Sequence, residues 1–323
     1  MQLPPPLRAA IERELDGIPL RDLSQAADAL SQRYRAEVQD GRLHIGDALA
    51  ARAYLTTRLP ATFAAVSAAL SAAADARPEF APQTMLDAGA GPGTATWAAA
   101  ERWPSLRDSM LLEASEPIRA VGERLSSSLE LERVTWMAAR LDEDLDDLAP
   151  CDLVILGYVL DELPPGARPS LIERLWRVTA GTLIIVEPGT TQGWKRILQA
   201  RSLLIDAGAH VLAPCPHGRS CPLVAPDWCH FAARVPRSRL HREAKGGTVP
   251  WEDEKFIYLA ASRHPAQDAL PRIIAPERSQ KSGLTFTLCE PGGSAAQRQF
   301  NKRDRGAYQA VRRLQWGDRL PRM

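Results

Sequence analysis

The chain has 323 residues, of which 45% are hydrophobic, and its formal net charge is +1. This composition is typical of a globular protein with a sizeable core, and it excludes a disordered chain and a uniformly basic nucleic-acid binder. The charge is unevenly placed, however, because residues 130–147 are rich in acids whereas residues 298–322 are rich in Arg and Lys. A basic tail on a neutral body indicates a local contact with nucleic acid.

Four regions follow one another along the chain. Residues 1–80 carry Ala, Leu and Arg at helical spacing and predict an N-terminal helical region, kinked or divided at Pro60. Short apolar runs alternate with helical stretches over residues 81–210, which predicts an α/β core with a parallel sheet. Residues 211–263 contain a cysteine-rich insertion and strands that close the sheet, one of them starting near His230. Residues 264–323 predict a β-hairpin, from RIIAPE to LTFTLC, and a basic helix.

The first strand of the core runs into a glycine-rich loop that indicates a nucleotide-like ligand. Asp87, Gly89, Gly91 and Gly93 form the pattern D-x-G-x-G-x-G, and glycines allow a ligand to approach the backbone closely. The pattern resembles the first motif of class I S-adenosylmethionine-dependent methyltransferases, which have a Rossmann-like sheet. The resemblance implies that the loop holds S-adenosylmethionine and that Glu113, at the end of the second strand, binds the ribose hydroxyls. A tight turn without a ligand is the alternative.

Residues after the fourth strand lie where that fold places its reaction centre. Tyr158, Asp161 and Glu162 follow the run CDLVILG. The string DELPP lacks the aromatic residue found in methyltransferases that act on exocyclic amines, so amine methylation is not supported and the catalytic residues stay unknown. Cys151, at the start of the strand, is interpreted as a small core residue rather than a nucleophile.

Four of the five cysteines predict a metal centre. Cys215, Cys221 and Cys229 share one loop at spacings wider than the C-x-x-C of structural zinc sites, and Cys289 is the remaining candidate ligand. Two of them precede proline, as in ferredoxin-type loops, which favours a four-iron four-sulfur (4Fe-4S) cluster. Zinc, with His217 or His230 as a further ligand, and unliganded thiols are the alternatives. Trp228 and Phe231 are expected to form a lid over the cluster.

The location of the protein is predicted from what the sequence lacks. No apolar run approaches the roughly 18 residues of a membrane span, and the N-terminal segment has no signal-peptide pattern. Its early acids, Glu12, Glu14 and Asp16, argue against a mitochondrial presequence. These features predict a soluble, cytoplasmic protein of a bacterium with no membrane partner.

Together, the glycine loop, the string CPHGRSCPLVAPDWCHF, Cys289 and the closing YQAVRRLQWGD resemble one family from about Ala50 onward. It is the family of methyltransferase-like assembly factors of the mitochondrial small ribosomal subunit and their bacterial relatives. The resemblance implies a factor that binds the small ribosomal subunit and its rRNA, with S-adenosylmethionine on the glycine loop. The resemblance also implies a 4Fe-4S cluster on Cys215, Cys221, Cys229 and Cys289. We also expect a monomer that does not bind DNA. An active rRNA methyltransferase and a small-molecule methyltransferase are the alternatives.

The basic tail combines charge with aromatic rings, a mixture that suits folded RNA. Its members are Arg298, Lys302, Arg303, Arg305, Arg312, Arg313 and Arg319, interleaved with Phe300, Tyr308 and Trp316. The alternative is a solvated helix whose aromatic face packs on the body. A second basic patch follows the third cysteine of the loop and consists of Arg234, Arg237, Arg239, Arg242 and Lys245.

Overall fold

A computed structural model describes residues 2–35, 44–141, 145, 148–237, 241–242 and 249–322 of the chain. Arg239 and Lys245 of the second basic patch lie outside the described residues, as do parts of the acidic stretch.

The centre of the fold is an eight-stranded sheet. Five parallel strands lie in the order β3-β2-β1-β4-β5, and the antiparallel strand β8 continues the sheet beside β5. Strands β6 and β7 both pair with β8, β6 near its end and β7 along its first half. The strands are β1 Thr84–Ala88, β2 Asp108–Leu112, β3 Arg133–Met137, β4 Cys151–Gly157, β5 Thr179–Pro188, β6 His210–Ala213, β7 Phe231–Pro236 and β8 Trp251–Ser262.

The central strands are buried on both faces, which explains their continuous apolar sequences. In β4, residues 153–156 are fully buried. In chain order the helices are α1 Pro5–Leu15, α2 Leu20–Arg35, α3 Ala48–Thr57, α4 Leu59–Ala76, α5 Thr94–Arg102, α6 Glu116–Ser126, α7 Arg168–Arg177 and α8 Thr191–Asp206. Helices α4 to α8 pack on the sheet, whereas α1, α2 and α3 pack chiefly on other helices. The N-terminal region is helical as predicted, and its third and fourth helices divide at Arg58, with Pro60 in the first turn of α4.

Helix α4 corrects one expectation drawn from the sequence. It has 18 residues and a mean hydropathy of 1.3, so by length and composition it could cross a membrane. The statement that no apolar run approaches this length is therefore wrong. In the fold, 72% of the helix is buried, and Phe63, Val66 and Leu70 belong to the main hydrophobic core. Its apolar sequence is thus accounted for by core packing.

A second, smaller sheet follows the first. Its strands are β9 Arg272–Ile273, β10 Arg278–Gln280, β11 Gly283–Cys289 and β12 Ala295–Asn301, and the helix α9 Arg305–Val311 comes after them. Strand β11 pairs antiparallel with the other three. The two runs of the predicted hairpin thus contribute β9 and β11, and β10 and β12 are strands that the sequence did not indicate. Phe286, Phe300 and Val311 form a small core of their own between this sheet and α9.

The order of the main sheet identifies the fold class. Parallel strands in the order 3-2-1-4-5, followed by an antiparallel strand at the far side, are the arrangement of the class I S-adenosylmethionine-dependent methyltransferase fold, as the glycine motif predicts. In such a sheet, ligands bind outside the carboxyl ends of the parallel strands. The glycine loop, Glu113 and Tyr158 all follow carboxyl ends at one edge, because Ala88 is in register with both Leu112 and Leu156.

Candidate cofactor and metal sites

The glycine loop makes a tight turn between β1 and α5. Gly89, Gly91 and Gly93 have φ values of +70°, +55° and +79°, a left-handed conformation that other residues rarely adopt. A Cβ atom at Gly89 would lie 2.6 Å from Cγ2 of Val159, whereas one at Gly91 would meet no atom within 4 Å. The loop is therefore packed against the segment that follows β4 at its first glycine and open on the Cβ side of its second.

Asp87 is buried and stabilises the glycine loop through hydrogen bonds to α5. Its side chain is buried and accepts hydrogen bonds from the Thr96 backbone N–H at 3.1 Å and the Thr96 hydroxyl at 3.0 Å. Burial raises the pKa of this carboxyl to about 7, although the two bonds from Thr96 oppose that shift. The acid of the D-x-G-x-G-x-G pattern thus ties the end of β1 to the first turn of α5.

Glu113 lies against the same loop. Its carboxylate accepts a hydrogen bond from the Gly91 backbone N–H at 2.8 Å and another from the Ser115 N–H at 2.7 Å. Burial raises the pKa of Glu113, and the backbone donors counteract this. A carboxylate has about four lone-pair sites, so Glu113 keeps capacity for a further donor besides its backbone partners. The structure brings Glu113 and the glycines together, and their role as cofactor ligands stays a prediction.

The residues after β4 form a buried polar group at the same edge of the sheet. Tyr158 has a φ of +60°, a strained conformation for a residue with a side chain, and its hydroxyl donates to Oε1 of Glu254 at 3.1 Å. Asp161 is buried, and burial raises the pKa of its neighbour Glu162 to about 8, with a further contribution from the negative charge of Asp161. Such perturbed carboxyls are common at functional sites and also in structural networks.

A buried ion pair that the sequence analysis did not identify completes this edge. Glu187, at the end of β5, is fully buried and pairs with Arg196 of α8 at 2.6 Å between Oε2 and Nε. It also accepts a hydrogen bond from the Leu160 backbone N–H at 3.1 Å. Burial raises the pKa of Glu187 to about 8 despite the arginine. Nothing in the sequence distinguishes Arg196 from the surface arginines of other helices.

The structure brings Cys215, Cys221, Cys229 and Cys289 together around one pocket. The pocket is partly open to solvent, and its walls include apolar residues of α8 and β8. Cys289 reaches it from the end of β11, whereas the other three come from the loop between β6 and β7. The fifth cysteine, Cys151, is half-buried at the opposite, amino-terminal end of β4, where its thiol contacts the Ala149 carbonyl at 3.5 Å.

Two buried arginines lie beside this pocket, which from here on is called the cysteine pocket. Arg201 donates to the carbonyl oxygens of His217 at 2.8 Å and Arg219 at 2.6 Å, and Arg272 donates to the Pro214 carbonyl at 3.1 Å. Among the described residues, Nε of Arg201 is buried without a hydrogen-bond partner. A hydrogen bond from the Cys289 thiol, with help from the two arginines, lowers the pKa of Cys215 to about 6. Burial by contrast raises the pKa of Cys221 and Cys229, so the pocket favours anionic sulfur only at Cys215.

The four thiols share the pocket without converging on one point. Within the described part of the chain, no group of three or more Cys, His, Asp or Glu side chains is arranged to hold a metal ion. A zinc site needs four donors, with sulfur about 2.3 Å from the ion. The four predicted metal ligands are thus neighbours that are not arranged around one metal ion. Their role as ligands stays a prediction.

The aromatic residues near the cysteine pocket differ from the predicted lid. Trp194 and Tyr258 line the pocket. Trp228 instead stacks on His230 at a centroid distance of 4.0 Å, and His230 meets Trp316 edge-on at 4.8 Å. Phe231 packs on Tyr258 at 5.4 Å. The lid expected from Trp228 and Phe231 is replaced by the side chains of α8 and β8, which sequence spacing could not place there.

The basic tail keeps its charge on the surface but buries its rings. Phe300 belongs to the small C-terminal core, Tyr308 packs against that core and Trp316 packs against the main one. Arg298 pairs with Glu290 at 2.8 Å, and Arg319 donates to the Asp268 carbonyl at 3.0 Å. The predicted role of the rings as RNA-stacking groups is therefore not supported by their placement.

Six cations of this part of the chain stay exposed, and their side chains have no partner among the described residues. We call them the C-terminal cations: Lys281, Lys302, Arg303, Arg305, Arg312 and Arg313. The backbone N–H of Lys302 donates to the Ser282 carbonyl at 2.8 Å, which places the turns that carry Lys281 and Lys302 side by side. By contrast, Arg234 and Arg237 of the second basic patch pair with Asp253 and Glu252 at 2.8 and 3.0 Å.

Comparison with known proteins gives the same family over most of the chain. The family model described as mitochondrial small ribosomal subunit Rsm22 matches residues 48–321. The human ribosome assembly protein METTL17, mitochondrial, is 30% identical over 286 residues, which cover 83% of this chain and 62% of that protein. The fission yeast Rsm22-cox11 tandem protein 2, mitochondrial, is 24% identical and covers 74% of this chain and 38% of that protein. The chain thus spans less than two thirds of these relatives.

Solved methyltransferase structures are similar at a lower level. An O-methyltransferase family protein from Burkholderia thailandensis has a TM-score of 0.47 and 15% identity, covering 77% of this chain and 72% of that one. Magnesium protoporphyrin IX methyltransferase from Synechocystis, with bound SAH, has a TM-score of 0.41 and 16% identity, covering 75% and 100%.

The comparisons overturn the predicted location. The family description and the named human and fission yeast relatives are all mitochondrial. The prediction of a cytoplasmic protein is therefore wrong. It rested on the acids of the N-terminal segment and the absence of a signal-peptide pattern, and neither feature identifies a compartment.

Proposed function

Because this chain belongs to the Rsm22 family of mitochondrial small ribosomal subunit proteins, we propose that it is an assembly factor of the small ribosomal subunit. The observation that carries this proposal is the extent of the family match, which includes the glycine loop, the cysteine pocket and the C-terminal cations. The name of the human relative, a ribosome assembly protein, supports the same role.

The proposed RNA contact uses the C-terminal cations. They are exposed and their side chains have no acidic partner among the described residues, so each is available to neutralise a phosphate. Because Phe300, Tyr308 and Trp316 pack against the body, the contact is to the RNA backbone rather than to stacked bases. Binding should therefore depend strongly on salt.

The glycine loop is proposed to hold S-adenosylmethionine. Support comes from the open side of Gly91 and from Glu113, which faces that glycine and has lone pairs left for hydroxyl donors. The cofactor would supply a methyl group on a sulfonium centre when bound. Tyr158 and Glu162 follow the carboxyl end of β4, beside the strand that leads into the loop, but the Tyr158 hydroxyl already donates a hydrogen bond to Glu254. This arrangement favours a structural or sensing use of the pocket.

The cysteine pocket is proposed to hold a 4Fe-4S cluster on Cys215, Cys221, Cys229 and Cys289. Each thiolate binds a different iron in such a cluster, so the four sulfurs surround the group without meeting at one point. The donor set fits, because four thiols line one pocket and two buried arginines offset negative charge there. Bound, the cluster would link β11 to the cysteine loop and supply a one-electron centre. Zinc remains the alternative occupant.

Immature small subunits from a deletion strain, incubated with the protein and labelled S-adenosylmethionine, test the proposal. We expect co-sedimentation of a monomer with the particles and no methyl incorporation. Reversing charge at Arg312 and Arg313 should weaken co-sedimentation, while the same reversal at the exposed Arg8 and Arg21 should not.

Two other outcomes would support the alternatives. Methyl incorporation into rRNA that disappears in Gly91→Arg would make the protein an rRNA methyltransferase. A protein that binds S-adenosylmethionine but shows no affinity for ribosomal particles would contradict the assembly role and favour a small-molecule methyltransferase.

A further inference from the structure

His217 connects the cysteine loop to the cysteine on β11. The ring is buried, at 7% exposure, and both of its nitrogens lie near hydrogen-bonding groups. Nδ1 accepts a hydrogen bond from the Arg219 backbone N–H at 3.1 Å, and Nε2 lies 3.4 Å from the sulfur of Cys289. Arg201 fixes this part of the loop by donating to the His217 and Arg219 carbonyl oxygens.

The contacts of the ring determine which nitrogen carries the proton. A backbone N–H can donate to Nδ1 only where that nitrogen offers a lone pair, so the ring is neutral and its proton is on Nε2. The Nε2–H then points to the Cys289 sulfur, which is its acceptor. To bind a metal through Nε2, the ring would need its proton on Nδ1 instead. That tautomer would lose the hydrogen bond that Nδ1 accepts from the Arg219 backbone N–H.

We propose that His217 is a positioning residue that donates a hydrogen bond from Nε2 to the Cys289 sulfur and thereby raises the reduction potential of the cluster. The inference rests on the proposed function, because it requires the cluster on the four cysteines. Reduction adds negative charge to a cluster and its sulfur ligands, and a donor to one of those sulfurs stabilises the reduced form more than the oxidised form. Hydrogen bonds to the sulfurs are among the features that set such potentials.

Redox titration of the anaerobically reconstituted full chain, monitored by electron paramagnetic resonance, tests this role. His217→Met fills similar space without a donor, His217→Gln keeps an N–H near the position of Nε2, and His264→Met is a control at an exposed histidine. We expect a more negative midpoint potential in His217→Met at unchanged iron content, a smaller shift in His217→Gln and none in His264→Met.

The possible failures are separable. A wild-type chain that takes up zinc and no iron overturns the proposed cluster and this inference with it. A wild-type cluster whose potential is the same in His217→Met overturns the inference alone. Loss of iron from both His217 variants also overturns it, because a ligand role would then replace the hydrogen bond.

A measurement on the unmodified protein covers variants that fail to fold. The reduced wild-type chain, labelled with ¹⁵N at the histidine rings, should show a weak nitrogen coupling in pulsed electron paramagnetic resonance, as a hydrogen bond through Nε2 requires. The absence of coupling, or the strong coupling of a nitrogen bound to iron, contradicts the proposal.

Discussion

Gly91→Ala separates backbone strain from cofactor binding. At a φ of +55°, an alanine costs about 1–2 kcal/mol relative to glycine because its Cβ crowds the following carbonyl. No steric penalty is added in the free protein, since the new Cβ meets no atom within 4 Å. With S-adenosylmethionine bound, the same methyl group would intrude on the ligand, and overpacking of about 1–3 kcal/mol weakens binding by roughly 5- to 150-fold.

Gly208→Ala is the matched control. Gly208 has a φ of +82° and also no atom within 4 Å of an added Cβ, but it lies at the opposite edge of the sheet, before the strand that begins at His210. Urea denaturation should show a similar loss of stability in both variants. Calorimetric titration with S-adenosylmethionine should show weaker binding only in Gly91→Ala. Equal affinity in both variants, or wild-type affinity in Gly91→Ala, would refute the placement of the cofactor on this loop.

Three further predictions concern separate parts of the fold. Cys289→Ser should lower the iron content from about four atoms per chain and the melting temperature with it, whereas Cys151→Ser should leave both unchanged; equal iron in the two would contradict the ligand assignment. Glu162→Gln should flatten the pH dependence of stability. Because the pKa of Glu162 is raised to about 8 in the native protein, the free energy of unfolding of the wild-type chain should fall by about 2–4 kcal/mol as pH rises from about 4.5 to 8. Urea midpoints across that range measure the slope, and an unchanged slope in the variant would contradict the prediction. Arg312→Glu with Arg313→Glu should reduce the salt slope of RNA binding by about 2, measured by filter binding, if both contact phosphates; an unaltered slope would place the RNA elsewhere.

The sequence predicted the parts of the fold whose local pattern has a single physical cause. Apolar runs such as residues 153–156 belong to strands buried on both faces, and three glycines with positive φ explain the loop after β1. Strand β12 was not predicted because AAQRQFN has no apolar alternation, and six of its seven residues are exposed or half-buried. It is a strand because β11 pairs with it along its whole length, which is a tertiary effect.

In the candidate sites, too, the sequence predicted residues that belong to a local motif and missed residues that only tertiary contacts place there. Cys289 was selected as the remaining candidate for a fourth ligand, and the structure places it beside the other three. The buried partners of both sites were missed, because Arg196, Arg201 and Arg272 resemble surface arginines until the fold encloses them. Aromatic rings interleaved with arginines were compatible with both RNA stacking and core packing. The pairing of β12 with β11 places Phe300 in the small C-terminal core, and this pairing is a tertiary effect.

Helix α8 contacts both candidate sites. Its Arg196 pairs with Glu187 at the carboxyl edge of the sheet, and its Arg201, five residues later, holds the carbonyl oxygens of the cysteine loop. Both side chains are buried, so neither bond can be lost without leaving a charge or carbonyl unsatisfied in the interior. A group that fastens the cysteine loop to β11 therefore also restrains the helix that orders Glu187. If the proposed cluster is bound there, its first contribution would therefore be to the shape of the C-terminal half.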